Sequence, residues 1–286
     1  MNLLAIINEP EESKGFLKYV LNMAKDFEAK THVLYIKPSI EYTLASTGTT
    51  GLAAAQVHND LDTQIRIANE TIEKTIDKVK ALLSYHPEVK FNSTTYAAPE
   101  AVKAYLKDEE IDMVLLKGKQ KESFWSQTTA NMDIIETVDC PVWIIPNNSV
   151  YQAFKEVLYA TDYKEEDFIT LNRLSALIRR FSPNITALHI TDNIDFEERV
   201  KRSGYLEMLK KETYYDRLSL KVISEGDIED LTFALNEFAA SRNADLIVIL
   251  KENYSFFERI FKRDPAKKIV RKAMLPVLIF HEMSDE

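Results

Sequence analysis

The residues with chemical reach are few in this chain, and their spacing argues against a catalytic centre. His32, His58, His86, His189 and His281 form no close pair and have no accompanying cysteine set, so the ligand spacing of a metal site is missing. Cys140 is the only cysteine, which excludes an intrachain disulfide and fits a reducing compartment. It stands beside Pro141 at the entry to an apolar run, where a small buried residue is expected. There is no Gly-x-Ser-x-Gly elbow, no lysine-bearing phosphate loop, and no nucleophile beside a base. No metal and no enzymatic activity are therefore expected.

Anion chemistry is better represented, always with a structural alternative. Thr128 and Thr129 precede a short helical pattern, where they can contact a phosphate or simply cap the helix. Gly118 can bring backbone close to a ligand or serve a tight turn. Asp162 lies just ahead of a helix and can either cap it or accept from a ligand amino group. Arg259, Lys262, Arg263, Lys267, Lys268, Arg271 and Lys272 form the densest basic run, suited to an anion or to a solvated helix face. The stretch Ser46 to Gly51 reads as a lid or a mobile loop. Only 6 of 286 residues are glycine, well under the ~7% average, which disfavours several glycine-rich loops.

These residues must be positioned by two copies of one α/β unit. In the first half, strand patterns occur at Leu3–Ile7, His32–Ile36, Val89–Thr95, Met113–Leu116 and Val142–Ile145. Helical patterns fall between them, the first striped by Phe16, Leu17, Val20, Leu21, Ala24 and Phe27, and a long one from about Asp60 to Tyr85. The second half repeats the order with strands at Val157–Ala160, Thr186–Ile190, Leu220–Ile223, Leu246–Ile249 and Val277–Phe280. Its helices span Phe168 to Phe181, Phe196 to Tyr215 and Ile228 to Ala240. Such alternation implies parallel sheets with right-handed crossovers. The repeat extends to residues: "DMVLL" from Asp112 matches "DLIVI" from Asp245, and "CPVWII" from Cys140 matches "LPVLIF" from Leu275. Domains of 1–147 and 153–286 follow, joined near Asn147 to Lys155.

A net charge of -9 gives no general electrostatic reason to bind nucleic acid. No apolar stretch approaches the ~20 residues a membrane-spanning helix needs. Met1 to Pro10 has no basic region ahead of its apolar run and reads as a strand, not a signal peptide. A cytoplasmic location is expected.

"VLYATDYKEEDFITLNRL" from Val157 resembles the first strand and helix of universal stress proteins. "SEGDIEDLTFALNEFAASRNADLIVI" from Ser224 is similar to the family's third crossover, and "CPV" from Cys140 to the entry of its fifth strand. The likeness covers nearly the whole chain twice, except Tyr42 to Asn59. It implies two tandem doubly wound parallel five-stranded sheets of order 3-2-1-4-5, an adenine-nucleotide-hydrolase-like α/β architecture. The ligand would lie where the order reverses. Family members that bind ATP place an Asp after strand one and a spaced glycine signature, ending in Gly-Ser/Thr, after strand four. Here Asn8 replaces the Asp in the first half, and Lys117 and Gln120 replace the first two glycines. Gly118 stands one residue out of register, and Thr128 and Thr129 close the signature. The second half keeps Asp162 but carries Leu250, Asn253, Arg263 and Asp264 at the signature positions. Asp264 would set a carboxylate where a phosphate belongs. The resemblance thus implies a non-enzymatic stress-response regulator with degenerate nucleotide loops, acting through conformation and an unknown protein partner. The alternative is a binder of ATP or another adenine nucleotide through an altered loop.

The fifth strands add one expectation. "PVWIIP" and "PVLIF" are apolar on both faces, with prolines only at their ends. An edge strand of that kind invites association, and family members commonly dimerise through it. An intramolecular pseudo-dimer is expected, with Val142–Ile145 antiparallel to Val277–Phe280.

Overall fold

The computed structural model describes residues 1–37, 52–118, 129–147, 149–191, 194–224, 231–251 and 275–282. They divide into two compact units, and the break falls between Tyr151 and Gln152.

In the first unit β1 (Asn2–Ile7), β2 (Lys30–Ile36), β3 (Val89–Thr94), β4 (Met113–Lys117) and β5 (Val142–Ile145) pair in parallel in the order β3-β2-β1-β4-β5. β1, β4 and β5 are near-continuous apolar runs because a parallel sheet is covered on both faces. The crossovers are α1 (Ser13–Phe27), α2 (Leu52–Lys80), α3 (Ala98–Asp108) and α4 (Thr129–Thr137). α1 buries Phe16, Leu17, Val20, Leu21, Ala24 and Phe27, the expected stripe, and adds Tyr19 and Met23. Full burial of side chains such as Leu17 and Leu21 stabilises by about 1.5–3 kcal/mol each. The chain leaves α1 through Glu28, whose φ of 51° lets its amide return to the Ala24 and Lys25 carbonyls.

The second unit contains β6 (Glu156–Ala160), β7 (Asn184–Thr191), β8 (Leu218–Ser224), β9 (Leu246–Leu250) and β10 (Val277–Phe280). Its pairs are again parallel, in the order β8-β7-β6-β9-β10. Its described helices are α5 (Glu166–Ile178), α6 (Phe196–Thr213) and α7 (Leu231–Ser241). α6 stops earlier than the apolar pattern suggests because Tyr214 turns left-handed, at a φ of 47°.

The repeated Asp and Pro are explained by pairing, not by ligand chemistry. Asp112 accepts from the Asn2 amide at 2.6 Å, and Asp245 accepts from the Lys155 and Glu156 amides at 2.7 and 3.0 Å. In return, the Asp112 and Asp245 amides donate to the Asn2 and Glu156 carbonyls. Each Asp thus latches the start of the first strand to the start of the fourth. Pro141 and Pro276, which cannot donate, accept from Val114 and Ile247 as the fifth strands begin.

One sequence boundary is corrected. The long helix begins at Leu52, inside the stretch that resembled nothing, and ends at Lys80 instead of Tyr85. Its last turn tightens, with the Leu82 and Leu83 amides reaching back only three residues. Tyr85 lies past this turn and donates to the Leu21 carbonyl. Ser46 to Gly51 lies outside the described residues.

Candidate functional site

In a doubly wound sheet the ligand crevice opens at the carboxyl ends of the strands where the order reverses. That point lies between β1 and β4 in the first unit, and between β6 and β9 in the second. The two crevices are furnished differently.

Asn8 follows β1 and is exposed, and Lys117 is the last residue of β4. The Lys117 ammonium reaches Glu9 Oε2 at 3.1 Å and Glu12 Oε2 at 2.6 Å. Both glutamates are more than half exposed, so these contacts add little stability. Their importance is positional. A side chain stands where family members that bind ATP carry glycine, and its charge is already engaged by two carboxylates. Asn131 of α4 donates to the Lys117 carbonyl at 3.0 Å, and Gly118 is buried directly beyond it. The backbone of Thr129 opens α4, while Thr128 lies outside the described residues.

At the carboxyl end of β6, on its β7 side, lies a buried carboxylate that sequence reasoning passed over. Asp167, in the first turn of α5, is fully buried. It accepts from the hydroxyls of Tyr159 of β6, Thr161 and Tyr205 of α6, and from the Lys164 amide. Burial pushes its pKa up, while the Thr161, Tyr159 and Tyr205 hydroxyls and the Lys164 amide oppose the rise. The phenol of Tyr159 is pushed well above its ordinary value by burial and by the Asp167 charge. Asp167 extends the apolar stripe of Leu171, Leu174 and Ile178, so a carboxylate at a core position was the available signal.

Asp162 lies near this cluster, with Oδ1 3.9 Å from Nδ1 of His189 on β7. The helix-capping alternative does not describe it. α5 has its N-cap at Glu165, and Asp167 is the side chain that accepts from the preceding amide. His189 Nδ1 lies 2.9 Å from the Thr161 carbonyl, which only accepts, so Nδ1 carries the hydrogen. Tyr163 has a φ of 60°, and its ring stacks on His189 with centroids 4.0 Å apart and planes 25° apart. Its hydroxyl donates to Glu198 Oε1 at 2.7 Å. Asn253, Arg263, Asp264 and the basic run from Arg259 to Lys272 lie outside the described residues. Leu250 is fully buried in β9.

The remaining candidates have structural roles. His32 is buried, with Nδ1 3.0 Å from the Tyr105 hydroxyl. Burial raises the Cys140 thiol to about 11, which keeps it protonated and unreactive at neutral pH. Among the described residues there is no group of three or more potential metal ligands, and no helix long and apolar enough to cross a membrane.

The fold defines tandem α/β domains, each a doubly wound parallel sheet of five strands. The model of the universal stress protein family matches residues 1–146 and again 153–281, and the chain belongs to that family. A universal stress protein from Archaeoglobus fulgidus DSM 4304 is 13% identical with a TM-score of 0.64, covering 99% of this chain and 98% of its own. A protein of unknown function from Pseudomonas aeruginosa PAO1 is also 13% identical, with a TM-score of 0.55 over 98% of this chain and 92% of that one. At such identities the likeness shows the fold. No curated protein matches the sequence.

Proposed function

We propose that this chain is a cytoplasmic, non-enzymatic stress-response regulator whose nucleotide clefts have degenerated, and that it acts through conformation and a protein partner. The observation that carries the reading is Lys117. Glycines at a phosphate loop let backbone amides approach the anion. Here a lysine side chain, 16% exposed, fills the end of β4 and is bound to Glu9 and Glu12. With its ammonium already engaged by two carboxylates, Lys117 is not offered to a polyphosphate. In the second unit the Asp162 carboxylate is retained, but the ring of Tyr163 lies beside it.

The expected result is that Mg-ATP titrated into the full chain gives no saturable heat in calorimetry up to about 1 mM, a free energy weaker than about -4 kcal/mol. A dissociation constant in the low micromolar range would overturn the reading. It would favour the alternative, adenine-nucleotide binding through Asp162, which the partly open position of that carboxylate beside His189 supports.

A further inference from the structure

We infer that the second unit carries a subsite for a planar ring bearing a hydrogen-bond donor, and that Tyr163 fills this subsite as an internal ligand. The inference rests on the reading of a degenerate cleft and says what closes it. Three groups from two elements make the subsite. His189 of β7 supplies one face, its ring 4.0 Å from that of Tyr163 and nearly parallel. Tyr205 of α6 supplies a second wall, its ring tilted 54° with centroids 4.7 Å apart. Glu198, also on α6 and 8% exposed, supplies an acceptor 2.7 Å from the Tyr163 hydroxyl.

A carboxylate held that deep needs a donor, because an unmatched buried charge is costly. Asp195 fixes the backbone that carries it, since its Oδ1 accepts from the Glu198 amide at 2.9 Å. The walls of this subsite are thus anchored by β7 and α6, whereas its occupant hangs on a short connection after β6. Tyr163 holds a left-handed φ of 60°, a conformation that disfavours a residue with a bulky side chain. Its amide is tied to Thr161 Oγ1 at 3.1 Å. Such strain persists only where the surroundings over-determine it, and here the stack and the Glu198 bond do so. The subsite therefore selects aromatic rings that carry an O–H or N–H toward Glu198.

The test is to remove the internal ligand and offer a free one. Tyr163→Gly relieves the backbone and vacates the ring. The full-length variant is expected to melt below the wild type, to bind 4-methylphenol saturably in the millimolar range, and to recover melting temperature with it. Toluene, which fits the walls but lacks the donor, should bind at least tenfold more weakly, and Glu198→Gln in the same background should narrow that gap. The wild type should bind neither. A folded Tyr163→Gly protein that ignores 4-methylphenol, or a wild type that binds it equally well, overturns the inference. Should Tyr163→Gly not fold, Tyr163→Phe decides. The ring remains, so 4-methylphenol must stay excluded while melting temperature falls with the lost Glu198 bond, and either failure removes the idea. ATP binding by the wild type overturns the functional reading, whereas these outcomes bear on the subsite alone.

Discussion

Asp167→Ala is expected to cost about 3 kcal/mol in the second unit, since a buried hydroxyl left without its acceptor costs about 1–3 kcal/mol. The loss has a definite origin. The Tyr159, Thr161 and Tyr205 hydroxyls all donate to this carboxylate and would lose it, with the Thr161 and Tyr205 hydroxyls, 3.0 Å apart, left to pair with each other. Adding Tyr159→Phe and Tyr205→Phe to Asp167→Ala removes two of the stranded donors. It should recover part of the loss, a non-additivity that separates the network from simple packing. Thermal unfolding followed by circular dichroism reads both. A loss under about 1 kcal/mol for Asp167→Ala would show that the network contributes little.

The pH dependence of the same group has a fixed sign. Burial raises the Asp167 pKa above its ordinary value of 3.8. Between that value and the raised one, the folded state binds more protons than the unfolded state, so the stability due to this group falls as pH rises. Above the raised value it is level. The advantage of the wild type over Asp167→Asn, which cannot titrate, should therefore narrow with rising pH through that window. An advantage that widens would contradict the assigned shift.

Residues 1–150 expressed alone are expected to self-associate or precipitate instead of giving a well-behaved monomer. In the sheet of the first unit β5 has one neighbour, β4, and in that of the second β10 has one neighbour, β9. Val142, Trp143, Ile144 and Ile145 carry no charge that would discourage a further strand, and the flanking Pro141 and Pro146 lie outside the strand. The expected pairing of Val142–Ile145 with Val277–Phe280 would satisfy both edges within one chain. Sedimentation of the fragment tests it, and a stable, soluble monomer at tens of micromolar would count strongly against the pairing. In the full chain, Ile144→Lys on the same strand should produce comparable loss of solubility or stability.

Much of the fold was legible because periodicity and composition report burial locally. All ten strands were marked to within two residues at either end. The inner ones read as apolar runs, because parallel strands covered on both faces need no alternation, while β3 and β8 carry exposed polar residues among their apolar ones. Internal likeness between Asp112 and Asp245, and between Pro141 and Pro276, exposed the repeat before any strand pairing was known. Their purpose was not legible. Each Asp latches two strand starts that lie far apart in sequence, and only pairing brings those amides to it.

The α/β class, the tandem repeat and the scarcity of glycine after the fourth strands are written in residues near one another along the chain, and were legible there. Tertiary structure alone decided what fills the crevices. Lys117 meets Glu9 and Glu12 because β1 and β4 are neighbours in the sheet, although more than 100 residues separate them in sequence. Tyr163 meets Glu198, and Asp167 meets Tyr205, because α6 presents both partners to the end of β6. Which polar side chains meet depends on how a helix is rotated and seated against its sheet. That choice is made by packing over the whole unit, and a polar residue at one position carries no local trace of the partner it will find.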